Sequence, residues 1–177
     1  LIAEPLERGF GLTLGNAIRR VLLSSLQGAA ITSVKLKGVV HEFSTIPGVK
    51  EDLTDILLNL KTIAVKVHSP GLKKMYLKSN GSGELRAGNF ETDSETEIMN
   101  PDQLIMTLDS NADIEIEANV ETGKGYVSAE VAEDENKIIG EIKLDAMFSP
   151  VIKATYKIEN SRVGQVTDYD KLMFDVE

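Results

Sequence analysis

Apolar residues recur with helical spacing in two stretches of the chain and with strand spacing over most of the remainder. Across residues 13–26, Leu14, Ala17, Ile18, Val21, Leu22 and Ser25 fall within one arc at 100° per residue, which predicts an amphipathic helix capped by Thr13. Residues 49–61 predict a second helix, with Val49, Leu53, Ile56, Leu57 and Leu60 on one side. Glu51 and Asp52 in its first turn and Lys61 in its last suit the helix dipole, and Pro47-Gly48 sets its start. Elsewhere the period is two. Val34 and Leu36 alternate with Ser33, Lys35 and Lys37; Ile63, Val65 and Val67 with Ala64, Lys66 and His68; Ile114, Ile116, Ala118 and Val120 with Glu115, Glu117, Asn119 and Glu121. Each run predicts a strand wet on one face. Further strands are predicted at 73–79, 104–108, 126–131, 138–144, 151–159 and 171–177, with Gly123-Lys124-Gly125 as a tight turn. Two helices among many antiparallel-type strands, without strand–helix–strand alternation, give an α+β class.

Composition narrows the function. A hydrophobic share of 42% over 177 residues supports one large or two small cored domains. Acidic residues outnumber basic ones 28 to 19, for a formal charge of −9, which argues against a surface that grips phosphates broadly. The middle of the chain is the most acidic part: nine carboxylates lie between Asp109 and Lys137 against Lys124 and Lys137. The absence of cysteine removes disulfides, thiolate metal sites and cysteine nucleophiles and fits a reducing compartment. No run approaches the ~18 apolar residues of a membrane span, and no secretory signal profile opens the chain, so a cytoplasmic protein is expected. The chain opens at Leu1 and closes at Asp175-Val176-Glu177 in what reads as mid-strand, so it is read as a fragment.

Candidate chemistry is sparse. Gly9-Phe10-Gly11-Leu12-Thr13-Leu14-Gly15 opens a helix as a dinucleotide-binding turn would, but its spacing is GxGxxxG. Leu36, between two lysines, stands where a ribose-binding carboxylate belongs. The alternative is a tight strand-to-helix turn at Gly9 and Gly11 and close packing at Gly15. Asp109-Ser110-Asn111-Ala112-Asp113 has the early spacing of a calcium loop, yet Ile114 and Val120 replace its glycine and its glutamate, leaving a polar turn. Neither His41 nor His68 has a ligand or general-base partner in the pattern. No catalytic residue, metal ligand or cofactor is predicted.

The first helix carries the informative oddity. Opposite its apolar arc lie Asn16, Arg19, Arg20 and Leu23, an aliphatic tip among two guanidiniums and an amide. Solvent faces favour Lys and Glu, whereas protein interfaces favour arginine around an apolar anchor. A partner-docking face and a helix covered on both sides by its own domain both fit this pattern.

Glu4-Pro5-Leu6-Glu7-Arg8-Gly9-Phe10-Gly11, followed by Thr13-Leu14-Gly15-Asn16-Ala17-Ile18-Arg19-Arg20-Val21-Leu22-Leu23-Ser24-Ser25, resembles the N-terminal domain of bacterial RNA polymerase alpha subunits. The likeness continues through Gly48-Val49-Lys50-Glu51-Asp52, Ile56 to Lys61, Gly123 to Val127, Ile139-Gly140, Ser149-Pro150-Val151, Arg162-Val163 and Thr167 to Leu172, and so covers essentially the whole chain. The resemblance implies a homodimeric assembly scaffold for the beta and beta-prime subunits, with catalysis left to those subunits and no direct DNA binding by this segment. It also implies a dimerisation subdomain formed by both chain ends, here 1–27 and 150–177, and an inserted strand-rich subdomain, 28–149. Carried over residue by residue, Arg20 and Leu23 would meet the beta subunit, extended by Arg8, Gly9, Gly11, Asn16 and Arg19. Lys61, Leu144 and Glu177 would meet beta-prime; Phe10, Leu14, Ile18, Val21, Leu22 and Leu26 would line the dimer; Glu133, Asp134 and Glu135 are either an activator contact, as an exposed acidic loop is in some relatives, or a solvated loop. Relatives also carry a strand before the position of Leu1, and after that of Glu177 a long helix, a linker and a DNA-binding domain. A stand-alone protein-binding adaptor and a dinucleotide-binding enzyme are the competing readings.

Overall fold

The computed structural model describes residues 1–39, 43–129 and 140–177. In chain order the elements open with strand β1 (Ile2–Glu7), helix α1 (Phe10–Ser24), β2 (Gln27–Leu36), helix α2 (Leu53–Lys61), β3 (Val65–Val67) and β4 (Lys73–Asn80). They continue with β5 (Gly83–Arg86), a 3₁₀ turn (Ala87–Asn89), β6 (Thr96–Ile98), β7 (Leu104–Leu108), β8 (Asp113–Lys124) and β9 (Tyr126–Val127). The last are β10 (Glu141–Lys143), β11 (Ala146–Met147), β12 (Ala154–Val163) and β13 (Val166–Val176). The chain divides into two compact units, Leu1–Gln27 with Ser149–Glu177, and Gly28–Phe148. Among the described residues the content is two α-helices within a strand-rich α+β chain.

The larger unit is built on a six-stranded sheet in the order β4-β8-β2-β3-β6, with β10 also bonded to β2. Alternation on β8 is as the sequence predicts: Ile114, Ile116, Ala118 and Val120 are buried, and the carboxylates between them face outward. β4 runs antiparallel beside it and buries Met75 and Leu77, while Lys74 bonds Glu117 across the wet face at 2.5 Å. α2 packs Leu53, Ile56, Leu57 and Leu60 into the same core, against Ile105 and Met106 of β7 among others.

Two local readings of this unit are corrected. α2 begins at Leu53, four residues later than predicted, because Val49 bridges Leu108 and Glu51 is recruited by β7. The Thr107 N–H and hydroxyl donate to the two Glu51 oxygens at 2.7 and 2.8 Å. Burial works against ionisation of this carboxyl, but those bonds outweigh it and hold Glu51 below the ordinary glutamate value. Ser33, expected on a wet face, is buried. Its hydroxyl donates to Glu141 of β10, and the Asn119 amide donates to Ser33 Oγ at 2.9 Å and to Glu141 Oε1 at 3.1 Å, so the polar face is covered by polar partners.

The smaller unit is a three-stranded antiparallel sheet in the order β1-β13-β12 with α1 on one face. β12 and β13 form a long hairpin in which Tyr156 opposes Phe174, Ile158 opposes Leu172 and Asn160 opposes Asp170. Even-numbered residues of both strands share a face, and Ala154, Leu172 and Phe174 on it are buried.

Candidate protein–protein interface

α1 starts at Phe10, three residues before the predicted cap, and Thr13 lies within it, donating its hydroxyl to the Gly9 carbonyl at 3.3 Å. Gly9, the residue before the helix, has φ 86°, a left-handed conformation that glycine adopts without strain. With no side chain there to cap the helix, the cap comes from β13. Asp170 Oδ2 accepts the Gly9 N–H at 2.9 Å and the Gly11 N–H at 3.1 Å. The amides that a dinucleotide phosphate would need are thus taken by the protein's own carboxylate, which would also repel such an anion. The glycines serve the turn and the packing.

Close packing fixes the first face of the helix. A Cβ at Gly11 would sit 3.0 Å from Asp170 Oδ2 and 3.2 Å from Ile158 Cγ2, and one at Gly15 would sit 2.7 Å from the Tyr156 ring. Gly11 and Gly15 are buried, and Ile18 and Leu22 are partly buried one and two turns on. Two polar ties reinforce the seat: Tyr156 Oη donates to Asn16 Oδ1 at 2.8 Å, and Arg19 Nε donates to the Ala154 carbonyl at 3.0 Å. The Tyr156 ring is itself steadied by Phe174, with centroids 5.5 Å apart.

The arc that the sequence presents as one apolar stripe therefore divides in two. Glycine carries no hydropathy signal, so the pattern alone centres the stripe too far round. Phe10, Leu14, Ala17 and Val21, at i, i+4, i+7 and i+11, form a second face that is open, with Phe10 53% and Val21 52% exposed. About a quarter-turn further round lies Arg20, exposed and with no hydrogen bond or ion pair from its guanidinium among the described residues. Leu23 is partly buried close by on this third face, and Leu12 is exposed. Asn16 and Arg19 each give one polar group to their own sheet. Arg8 is exposed beside Asp168 at 3.5 Å, a pair too wet to fix either side chain. Leu26 lies past the helix end and is partly buried.

The second predicted cluster is in the larger unit. Lys61, closing α2, reaches Asp145 at 2.9 Å. Leu144, beside Asp145, has its side chain in the core, and its N–H donates to the Thr32 carbonyl at 2.8 Å. The structure thus brings Lys61 to the Leu144-Asp145 step, while Glu177 is exposed in the smaller unit, its backbone paired with Lys153. The Ala129 N–H and then Lys61 hold the Asp145 carboxyl below its ordinary value of 3.8. A carboxylate so depressed adds stability above the unfolded-state value, and that contribution is lost as pH falls through the folded-state value. Asp145→Asn is therefore expected to lower the urea midpoint near neutrality, where the contribution is present, and to converge with the parent as pH falls below about 4, so that its acid limb is flatter.

A family model for the RNA polymerase Rpb3/RpoA insert domain matches residues 34–149, well over half of the chain. The chain belongs to this family. It is an RNA polymerase subunit of the alpha type, and the matched segment falls almost entirely within the larger unit. α1 lies outside it. In this alpha-type chain the Asp109-to-Asp113 segment is a turn, with Ser110 N–H on Asp109 Oδ1 and Asp113 paired with Lys37 at 2.7 Å. No cluster of three or more metal-ligating side chains occurs among the described residues, and no helix among them is long and apolar enough to cross a membrane. Glu133, Asp134, Glu135 and His41 lie outside the described residues.

Sequence reasoning missed three residues that shape these surfaces: Tyr156, Asp170 and Asp145. Asp170 had a legible signal, an acidic side chain at the parity of Leu172 and Phe174 on the apolar face of a strand. The other two had none, because their partners are distant in sequence.

Proposed function

We propose that this alpha-type chain is the assembly scaffold of a cytoplasmic bacterial DNA-directed RNA polymerase. Two copies join through the smaller unit, formed by both chain ends, and the pair carries the catalytic beta and beta-prime subunits. The observation that carries the reading is α1 with two open faces beside its packed one. The Phe10-Leu14-Ala17-Val21 stripe is the self-association face, with Ile18 and Leu22 behind it, and the Arg20 face docks beta. Isologous dimers place such a stripe against its own copy, so a short apolar row on each protomer makes a continuous seam. Arg20 supplies planar donors for carboxylates or carbonyls of beta, and Leu23 the apolar anchor beside it. Arg8, Asn16 and Arg19 border that contact. Lys61, with the step at Leu144 and with Glu177, is assigned to beta-prime. Chemistry on nucleotides belongs to the large subunits in this reading.

Arg20→Ala tests it. Capture of purified beta subunit by the variant is expected to weaken roughly 30-fold, the effect of losing one anchor of an interface, with far-ultraviolet dichroism and self-association unchanged. Undiminished capture by a folded variant would remove Arg20 from the interface.

A further inference from the structure

The Asp170 carboxylate closes the start of a helix from a strand 159 positions away along the chain, counted to Gly11. One oxygen accepts two amides, at the residue before α1 and at its second residue, which is the work normally done by the side chain of the capping residue that flanks the helix. α1 has no acidic residue in its first turn to do this locally. The same carboxylate stands against the space above Gly11, so any slide or roll of the helix breaks its bonds or drives it into the backbone. The remaining ties, at Asn16 and Arg19, hold only the middle and end of the helix.

We infer that Asp170 is the positioning residue that sets the place of α1 on its sheet and so aims both of its open faces, although it touches neither partner. This rests on the proposed docking role of α1. Its consequence is that partner binding through Arg20 and Val21 depends on a side chain outside both interfaces. Asn at this position keeps an oxygen acceptor in the same place, whereas Ala keeps none.

The experiment compares Asp170→Ala and Asp170→Asn in two measurements: amide exchange along the chain, and titration against purified beta subunit. Asp170→Ala is expected to speed exchange at the first turn of α1 roughly five- to tenfold, with the 28–148 unit unchanged, and to weaken beta capture by a similar factor. Asp170→Asn is expected to restore most of both. The inference is overturned if Asp170→Ala leaves the first turn protected and capture intact, or if both variants lose protection throughout the smaller unit, since Asp170 would then be a general stability element. Failure of the parent protein to capture beta would refute the proposed function instead, and the exchange measurement would still decide whether Asp170 places the helix.

Discussion

Gly15→Val is expected to be the most damaging single substitution in the smaller unit, lowering its stability by about 2 kcal/mol or preventing α1 from seating. The first added atom would lie 2.7 Å from Cδ2 and Cε2 of Tyr156 and 3.0 Å from Cζ. That ring cannot simply swing away, because its hydroxyl holds Asn16 and its face meets Phe174. Removing a glycine from a helix interior returns up to ~1 kcal/mol of backbone entropy, more for alanine than for valine. Overpacking costs about 1–3 kcal/mol and rises with each added methyl, so the loss wins. The check is denaturant unfolding followed by tyrosine fluorescence, with Gly15→Ala as the milder member. Combining Gly15→Ala with Tyr156→Ala should cost less than the sum of the two, since the second change vacates the space the first invades. A Gly15→Ala protein more stable than the parent would show that the helix does not approach the sheet this closely.

Val21→Glu is the second. In the isolated protomer Val21 is 52% exposed, so the substitution is expected to change protomer stability by no more than about 0.5 kcal/mol. In a two-fold dimer built on the Phe10-Leu14-Ala17-Val21 stripe the same change buries two carboxylates near one axis, each lacking a partner. Self-association should weaken at least ~100-fold, seen by light scattering as the mass of a single chain where the parent shows a pair. Helix content by dichroism should be unchanged. A variant that remains paired would place the dimer seam elsewhere.

What the sequence disclosed depended on whether the responsible partner was near or far along the chain. β8 and β4 were legible because each residue's parity decides its environment, and Ile114 to Val120 obey it without exception. α2 was legible in its buried face and not in its start, since the competition that keeps Glu51 out of the helix comes from Thr107. β1, β5, β6 and β11 were not predicted; they are short or interrupted, and Pro5 within β1 weakens its strand signal. Most instructive is α1. Its pattern predicted a helix with an apolar arc and an arginine face, but the seat is made by Gly11 and Gly15, whose value lies in what Tyr156 and Asp170 place above them. Asn16 and Arg19 therefore have partners at home, while Arg20 has none among the described residues.

In the proposed assembly, one helix offers two separable docking faces. The most direct measurement is sedimentation of Arg20→Ala protein, alone and mixed with purified beta subunit, beside the parent protein. The variant is expected to sediment as a pair of chains in both samples, while the parent shifts to a heavier complex when beta is added. A variant that dissociates and fails to bind beta together, or that binds beta as the parent does, would contradict it.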